Sequence, residues 1–211
     1  MVRRRPAVIA VVLAATLAAC TSPQDGTPTA EPSDMPGTSP ASSTNQGDTF
    51  GAPRVSVPLD ATKYLGQPCA VLSTAQLAKF KISKPGEPDT DSQVAKSSGP
   101  GCSWRTDGEP FRGLDVSFLT GNKKGLTDIY RGYQQLHQFS YFEETTVDGY
   151  PAVFADGADG RSQGSCDIKV GISDTLAFRA GELGGVSRGA ASCDGAKELA
   201  AAVIATLKGG A

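Results

Sequence analysis

SCDIKVGISDTLAFRAG, residues 165–181, carries the clearest fold signal in this chain. Ile168, Val170 and Ile172 occupy alternate positions, so they lie on one face of a β-strand. The pair Ser173-Asp174 is typical of a turn, and a second apolar segment follows it. Strands joined by a short turn pair antiparallel, so the segment predicts a β-hairpin with one buried face.

Neighbouring segments predict further strands. YFEETTVDGYPAVFAD, residues 141–156, holds two short strands around Asp148-Gly149, a pair typical of the type I′ hairpin turn. GCSWRT (101–106) and GLDVSFLT (113–120) predict two more, and in the second of these Leu, Val and Phe alternate with other residues. The polar stretch before them, residues 84–101, predicts a long loop.

Three segments carry helix signals. Ser73 and Gln76 have the spacing of a capping box, which predicts a helix over residues 73–80. Apolar residues recur at helical spacing over residues 123–138 and again over residues 194–208. Adjacent strands joined by tight turns form an antiparallel sheet, and three helices with one apolar face each must cover it, so the predicted class is α+β. We expect an antiparallel sheet of about six strands covered by three helices.

The first residues have the layout of an export signal. Arg3, Arg4 and Arg5 precede an apolar run over residues 7–19. At about 1.5 Å per helical residue this run covers roughly 20 Å, less than a hydrocarbon core of about 30 Å. The run is too short for a permanent transmembrane helix, so residues 1–19 are predicted to be a cleaved signal peptide.

Leu17, Ala18, Ala19 and Cys20 resemble the lipobox of a bacterial lipoprotein precursor. The resemblance implies that Cys20 receives a thioether-linked diacylglycerol and that cleavage falls just before it. Two long acyl chains hold a protein at a membrane far more firmly than one chain does. The alternative is an ordinary secreted protein with a chance cysteine near its cleavage site. We favour attachment to the cell membrane, on its extracytoplasmic face, through lipid on Cys20.

Composition divides the rest of the chain in two. Residues 20–57 are rich in Ser, Thr, Pro, Gly, Asp and Gln and contain few large apolar residues. Such a segment cannot bury enough apolar surface to offset its chain entropy, so it is predicted to be a disordered linker. Residues 58–211 are long enough for a single globular domain with its own core.

Five cysteines is an odd number for an exported chain. Lipidation of Cys20 leaves Cys69, Cys102, Cys166 and Cys193 in an oxidising compartment, where disulfides persist. Four cysteines allow three pairings, and the sequence alone does not choose among them. We favour Cys69–Cys102 and Cys166–Cys193, because each pair joins the start of a helix to a nearby strand. A zinc site is disfavoured because no C-x-x-C or H-x-x-x-H spacing is present.

The charge balance argues against a nucleic-acid partner. Loss of the signal peptide takes three arginines from the 20 basic residues and leaves 17 against 22 acidic ones, a formal charge of −5. A nucleic-acid-binding protein normally shows a basic face, and a protein held by anionic lipid shows a basic cluster. Neither feature is visible in the sequence.

The region from residue 58 onward resembles the actinobacterial lipoprotein family known as domain of unknown function 3558. The resemblance rests on the lipobox, the Ser/Thr/Pro-rich linker, Pro68-Cys69 before a capped helix, the strand Cys102-Ser103-Trp104 and a late pair of cysteines. It implies no activity, cofactor or partner.

No recognisable catalytic constellation is present. The single histidine, His137, lies near the end of the predicted helix 123–138, where a partly buried or capping role is expected. Residues 156–160, DGADG, hint at a calcium loop, but its twelfth position is Asp167 instead of Glu, so a hairpin turn is favoured. GELGGVSRG, residues 181–189, would bind phosphate only at a strand-to-helix turn, and a flexible loop is favoured.

Two further features have plain structural interpretations. Glu143 and Glu144 are adjacent on a predicted strand, so they point to opposite faces and make a poor carboxylate pair. Trp104 beside Cys102 is expected to pack in the core, whereas an exposed Trp would favour sugar or peptide binding. We therefore expect no catalytic residue, no metal and no cofactor, and the sequence does not identify ligand-binding residues.

The expected function is a lipid-anchored, non-enzymatic binding or sensing module in the cell envelope. Its partner would be an unknown envelope ligand or protein. The alternatives are an envelope hydrolase that uses His137 or Asp167, and an accessory structural subunit with one large apolar patch. A lined cavity would favour ligand capture, and a flat sheet would favour protein contact.

Overall fold

A computed structural model describes residues 48–109 and 111–209. The predicted signal peptide (1–19), Cys20 and the predicted linker up to residue 47 lie outside the described residues. Contacts group the described residues into one compact unit. Within the described part of the chain, no helix is both long enough and apolar enough to cross a membrane.

Seven strands form one sheet. They are β1 (Glu87–Asp89), β2 (Gly101–Arg105), β3 (Gly113–Phe118), β4 (Tyr141–Val147), β5 (Tyr150–Asp156), β6 (Cys166–Gly171) and β7 (Ala177–Leu183). Their order across the sheet is β1-β2-β3-β7-β6-β5-β4, and every neighbouring pair is antiparallel. Both predicted hairpins, β4–β5 and β6–β7, are confirmed. Asp148 and Gly149 have φ angles of 48° and 87°, as a type I′ turn requires.

Five α-helices accompany the sheet within the described residues. They are α1 (Thr62–Leu65), α2 (Thr74–Lys79), α3 (Gln93–Ser98), α4 (Leu126–Gln134) and α5 (Ser192–Leu207). The three predicted helices correspond to α2, α4 and α5, and the capping box of α2 forms as expected. α4 is shorter than the predicted 123–138, because Gly125 just before it and His137 beyond its end both have positive φ.

The prediction of a long loop over residues 84–101 is wrong in part. β1 lies within it and pairs with β2, with Pro88 opposite Cys102. α3 also lies within it and begins after Ser92, whose side chain accepts a hydrogen bond from the Ala95 amide at 3.1 Å. All three residues of β1 are exposed, and Ala95 is the only buried residue of α3, so neither element carries an apolar pattern.

The two faces of the sheet are covered differently. On the face that we call the α5 face, α5 packs against β6 and β7 over a core of fully buried residues. These include Val116, Phe118, Ile168, Val170, Phe178, Leu199, Val203 and Ile204. On the opposite face, the α4 face, Leu126, Ile129 and Tyr130 pack in a second cluster with Val153 and Ala155.

The folded part of the chain begins earlier than the predicted boundary at residue 58. Ala52 and Val55 are buried, and Arg54 forms an ion pair with Asp174 at 2.6 Å. Residues 48–57 were assigned to the linker because their composition is polar, yet these few contacts hold them on the domain. The predicted end of the linker is therefore about ten residues too late.

Both predicted disulfides are confirmed. Cys69 pairs with Cys102, and Cys166 pairs with Cys193, at sequence separations of 33 and 27. Trp104 is 2% exposed and belongs to the core, as expected. A Cβ atom at Gly86 would collide with both Cys102 Sγ and Trp104 Nε1, so a residue without a side chain is needed there.

Loss of one disulfide should lower the free energy of unfolding of the oxidised protein. For loops of this length, we expect the double variant Cys166→Ser, Cys193→Ser to lose about 3–4 kcal/mol, because its unfolded chain gains conformational entropy. Urea denaturation followed by circular dichroism measures the loss. Non-reducing peptide mapping of the unaltered protein should give the two pairs above, and a Cys69–Cys193 cross-link would contradict them.

Candidate functional site

A row of charged residues crosses the α4 face at the centre of the sheet. Asp115 of β3 and Asp167 of β6 both lie opposite Gly181 of β7 in the strand register. Two residues along the strands, and therefore on the same face, Lys169 of β6 lies opposite Arg179 of β7. Directly paired residues of neighbouring strands share a face, so two acidic and two basic side chains meet in one cluster.

Arg179 holds the two carboxylates together. Its guanidinium donates from Nη2 to Asp167 Oδ1 at 2.9 Å and from Nε to Asp167 Oδ2, which makes a bidentate pair. Its Nη1 donates to Asp115 Oδ2. All three nitrogens of this guanidinium therefore donate, and Arg179 links its two neighbouring strands, β3 and β6, from its position on β7.

Gly181 provides the space for this arrangement. A Cβ atom at this position would lie 2.6 Å from Asp167 Oδ1 and 2.7 Å from Asp115 Oδ1. It would also lie 3.2 Å from Arg179 Nη2. Real Cβ atoms do not approach neighbours so closely, so a side chain at residue 181 would displace at least one member of the cluster.

Burial sets the electrostatics of the cluster. Asp115 is 8% exposed, and its Oδ1 is buried without a hydrogen-bond partner among the described residues. This burial outweighs the attraction of Arg179 and raises the pKa of Asp115 to about 6. Burial acts against the charge of Arg179 as well, but Asp115 and Asp167 outweigh it and raise the pKa of the guanidinium.

Lys169 is the least well partnered charge of the cluster. Its residue is 8% exposed, and its ammonium donates to the Ala155 carbonyl oxygen. Asp167 Oδ2 lies 3.9 Å from Nζ, beyond hydrogen-bonding distance. The ring centroid of Phe139 is 5.4 Å from Nζ, within range of a cation–π contact. Burial lowers the pKa of Lys169.

A cavity of about 290 Å³ opens next to Lys169. Its other lining residues come from the end of α3, the turn after β3, α4 and the loop after α4. They are Ser97, Ser98, Leu119, Gly121, Asn122, Asp128, Ile129, Gln138 and Phe139. In three other depressions of the described structure, the charged lining residues are all exposed. The buried lysine distinguishes the cavity beside it.

The sequence-derived candidates lie elsewhere, with one exception. His137 is exposed and lies beyond the end of α4, so the expected partly buried or capping position is wrong. Asp156 ends β5, and residues 157–160 belong to a longer connection between β5 and β6, in which Asp159 pairs with Arg161 at 2.7 Å. Asp167, named only as the twelfth position of a calcium loop and a residue of the hydrolase alternative, is the exception and belongs to the charged cluster. Within the described ranges, no group of three or more His, Cys, Asp or Glu side chains could hold a metal ion.

Glu143 and Glu144 point to opposite faces, as expected. Glu143 pairs with Arg161 at 2.6 Å, and Glu144 accepts a hydrogen bond from the Tyr130 hydroxyl at 2.9 Å. Burial and this hydrogen bond to a carboxylate raise the pKa of Tyr130. The two glutamates therefore contact different residues on opposite faces of β4.

The glycine-rich segment 181–189 leads to α5 and contains a negatively charged side chain of its own. Glu182 is fully buried and forms ion pairs with Arg112 at 3.0 Å and Arg188 at 2.7 Å. A Cβ atom at Gly195 would collide with Glu182 Oε2, so this carboxylate lies against the first turn of α5. Negative charge is favourable at a helix N-terminus. Glu182 therefore fills the place that a phosphate would need.

Asp115, Lys169 and Arg179 were not identified from the sequence. Each lies on a predicted strand, on the face opposite to the alternating apolar residues. Charged residues at such positions normally face water. Only the strand order, which puts β7 between β3 and β6, shows that these charges face one another.

The raised pKa of Asp115 predicts a specific pH dependence of stability. Between about pH 4 and pH 6 the folded protein keeps a proton on Asp115 that the unfolded chain has released, so this group's contribution to stability is lost as pH rises. The variant Asp115→Asn stays neutral throughout. The unfolding free energy of the unaltered protein, minus that of the variant, should fall between pH 4 and pH 7 by on the order of 2 kcal/mol.

Urea denaturation at a series of pH values measures this difference. Asp159→Asn is the matched control, because Arg161 lowers the pKa of the exposed Asp159 to about 2 and its ionisation is complete by about pH 5. A flat difference for Asp115→Asn from pH 4 to pH 7 would show that Asp115 ionises normally in the folded protein.

Comparison with known proteins gives one match. No curated protein matches the chain. The family described as "Protein of unknown function (DUF3558)" matches residues 15–206, which is most of the 211-residue chain. The matched region takes in all seven strands and the four disulfide-bonded cysteines. The chain is therefore a member of the DUF3558 family.

Proposed function

We propose that this protein is an exported lipoprotein, anchored through lipid on Cys20 to the extracytoplasmic face of the cell membrane. Its folded domain then acts as a non-enzymatic module that binds an envelope component. The anchoring and the binding role rest on separate observations.

Two observations support the anchor. The family match begins at residue 15, so it includes the lipobox-like residues 17–20. The other four cysteines are paired with one another, so none of them remains as a partner for Cys20. A chain with five cysteines then needs another use for Cys20, and acylation supplies one.

The cavity beside Lys169 is the observation that carries the binding role. A concave site with a few polar groups and a titratable residue of shifted pKa is the usual form of a ligand site. The lining of this cavity combines a buried ammonium with hydroxyl and amide side chains. It therefore favours ligand capture over contact through a flat sheet.

The same cluster offers little to a hydrolase. Both oxygens of Asp167 accept from Arg179, so this carboxylate is not free to act as a base. Asp115 has a pKa suited to proton transfer, but its unpartnered oxygen is shielded from solvent. A general base must reach the proton that it removes. Binding without chemistry is the better fit.

An accessory role in protein contact has one observation in its favour. Phe111 is 82% exposed and Leu183 is 43% exposed. Both lie at the same end of the sheet, because Leu183 pairs with Gly113 and the Gly184 backbone lies against the Phe111 carbonyl. Two apolar side chains make a smaller patch than an obligate subunit contact needs, so this function ranks second.

Membrane attachment should depend on the Cys20 thiol. We expect the unaltered protein in the membrane fraction and labelled by a palmitate analogue, and Cys20→Ala unlabelled and released to the soluble fraction. The physical reason is that acyl chains bury their CH₂ groups in the bilayer, at about 0.8 kcal/mol each.

Thr21→Ala is the matched control and should stay in the membrane fraction. Mature protein that is found in the soluble fraction with or without the Cys20→Ala change would refute the anchor.

A further inference from the structure

The cavity beside Lys169 lies where three connections meet on the α4 face. The end of α3 and the turn after β3 form one side, and the Gly121 amide donates to the Ser98 carbonyl at 2.9 Å to join them. α4 and the segment that follows it form the other side through Ile129, Gln138 and Phe139. The walls are thus fixed by elements of the fold, and Lys169 of β6 belongs to the sheet beneath them.

Lys169 has hydrogen-bonding capacity that the protein does not use. An ammonium carries three N–H donors, and the Ala155 carbonyl takes one of them. Asp167 would be the natural second acceptor, but Arg179 already occupies both of its oxygens and Nζ stays 3.9 Å away. A buried charge with open donors is costly, and an acceptor in the adjacent cavity would lower this cost.

The acceptor that fits is a single carboxylate. It would supply two oxygens and one negative charge to an ammonium whose protein partners lack both. The cavity wall also contains Asp128, which is tied to the Lys124 amide at 3.0 Å and lies 3.5 Å from Arg131. A second negative charge on the ligand would meet this aspartate, which disfavours phosphate groups.

The remaining lining indicates the rest of the ligand. Asn122 and Gln138 offer amide donors and acceptors, Ser98 offers a hydroxyl group, and Asp128 can accept from a hydroxyl. Leu119 and Phe139 supply a small apolar wall. A volume of about 290 Å³ admits a molecule of monosaccharide size and excludes a polymer from its interior.

We infer that this cavity binds a small hydroxylated monocarboxylate, of the acid-sugar or hydroxy-acid class, through the ammonium of Lys169. The inference rests on the proposed binding function and names the ligand class for it. The carboxylate lies against Lys169, and the hydroxyl groups meet the polar residues of the lining.

Isothermal titration calorimetry on the full mature chain in detergent tests this directly, with D-glucuronate as the probe. D-glucose is the uncharged counterpart, and D-glucose 6-phosphate is the counterpart with a second negative charge. We expect glucuronate to bind at least about tenfold more tightly than either, because only glucuronate presents one carboxylate to a buried ammonium. Glucose or glucose 6-phosphate binding as tightly as glucuronate would overturn the inference.

Variants locate the binding. Lys169→Met keeps the apolar stem, loses the charge and should weaken glucuronate binding by at least about tenfold. Lys96→Met, on exposed α3, is the matched control and should bind as the unaltered protein does. Asn122→Ala in the cavity lining should weaken binding by roughly threefold through one lost hydrogen bond, and it keeps the test decisive if Lys169→Met fails to fold.

Retained affinity in a folded Lys169→Met variant, or in Asn122→Ala when Lys169→Met does not fold, would place the ligand elsewhere and overturn the inference. Absence of glucuronate binding to the unaltered protein would overturn it as well. Either result leaves the membrane anchor standing, because fractionation of Cys20→Ala tests the anchor separately.

Discussion

Arg179 folds across Gly181 to reach Asp115 on one neighbouring strand and Asp167 on the other, and the layout of the α4 face depends on this contact. One guanidinium satisfies two carboxylates because its donors form a rigid planar fork. This contact also determines which hydrogen-bond acceptors remain for Lys169. With Asp167 already engaged, the lysine is left beside the cavity with a carbonyl oxygen as its hydrogen-bond partner among the described residues.

Both faces of β7 carry buried charge. On the α5 face, Glu182 joins Arg112 and Arg188 to the first turn of α5, although its Oε2 has no hydrogen-bond partner among the described residues. On the α4 face, the charges of Asp115 and Lys169 are incompletely partnered. Buried ion pairs seldom add net stability over apolar packing. Stability alone therefore explains neither charged cluster well.

The parts of the fold that were predicted correctly carry a local sequence signal, such as a short apolar repeat or a turn pair. The β6–β7 hairpin, the Asp148-Gly149 turn and the stripe of α5 all carry local signals. β1 and α3 were missed because they bury almost nothing, and pairing with β2 is what makes β1 a strand. Residues 48–57 were missed because two small buried contacts in a polar segment leave no pattern.

The candidate site was harder to predict than the fold for a topological reason. More than half of the chain that runs from the first to the last strand of the sheet separates β3 from β7. Strands that are consecutive in sequence are the usual neighbours in a sheet. Without the β3–β7 pairing, Asp115 has no visible relation to Arg179. Cysteines are different, because few of them exist and each needs a partner. The four cysteines left only three pairings to consider, whereas no comparable limit pointed to the charged cluster.

The early start of the folded chain has a mechanical consequence. Ala52 packs in the same cluster as Leu119, Ile129 and Phe139, which also line the cavity. Gln134 of α4 donates to the Phe50 carbonyl oxygen at 2.6 Å, and Arg54 is tied to Asp174. Tension along the amino-terminal segment would therefore enter the domain at α4 and its cluster before it reached the α5 core. A domain held by this end would transmit a pull on its tether to the walls of its own cavity.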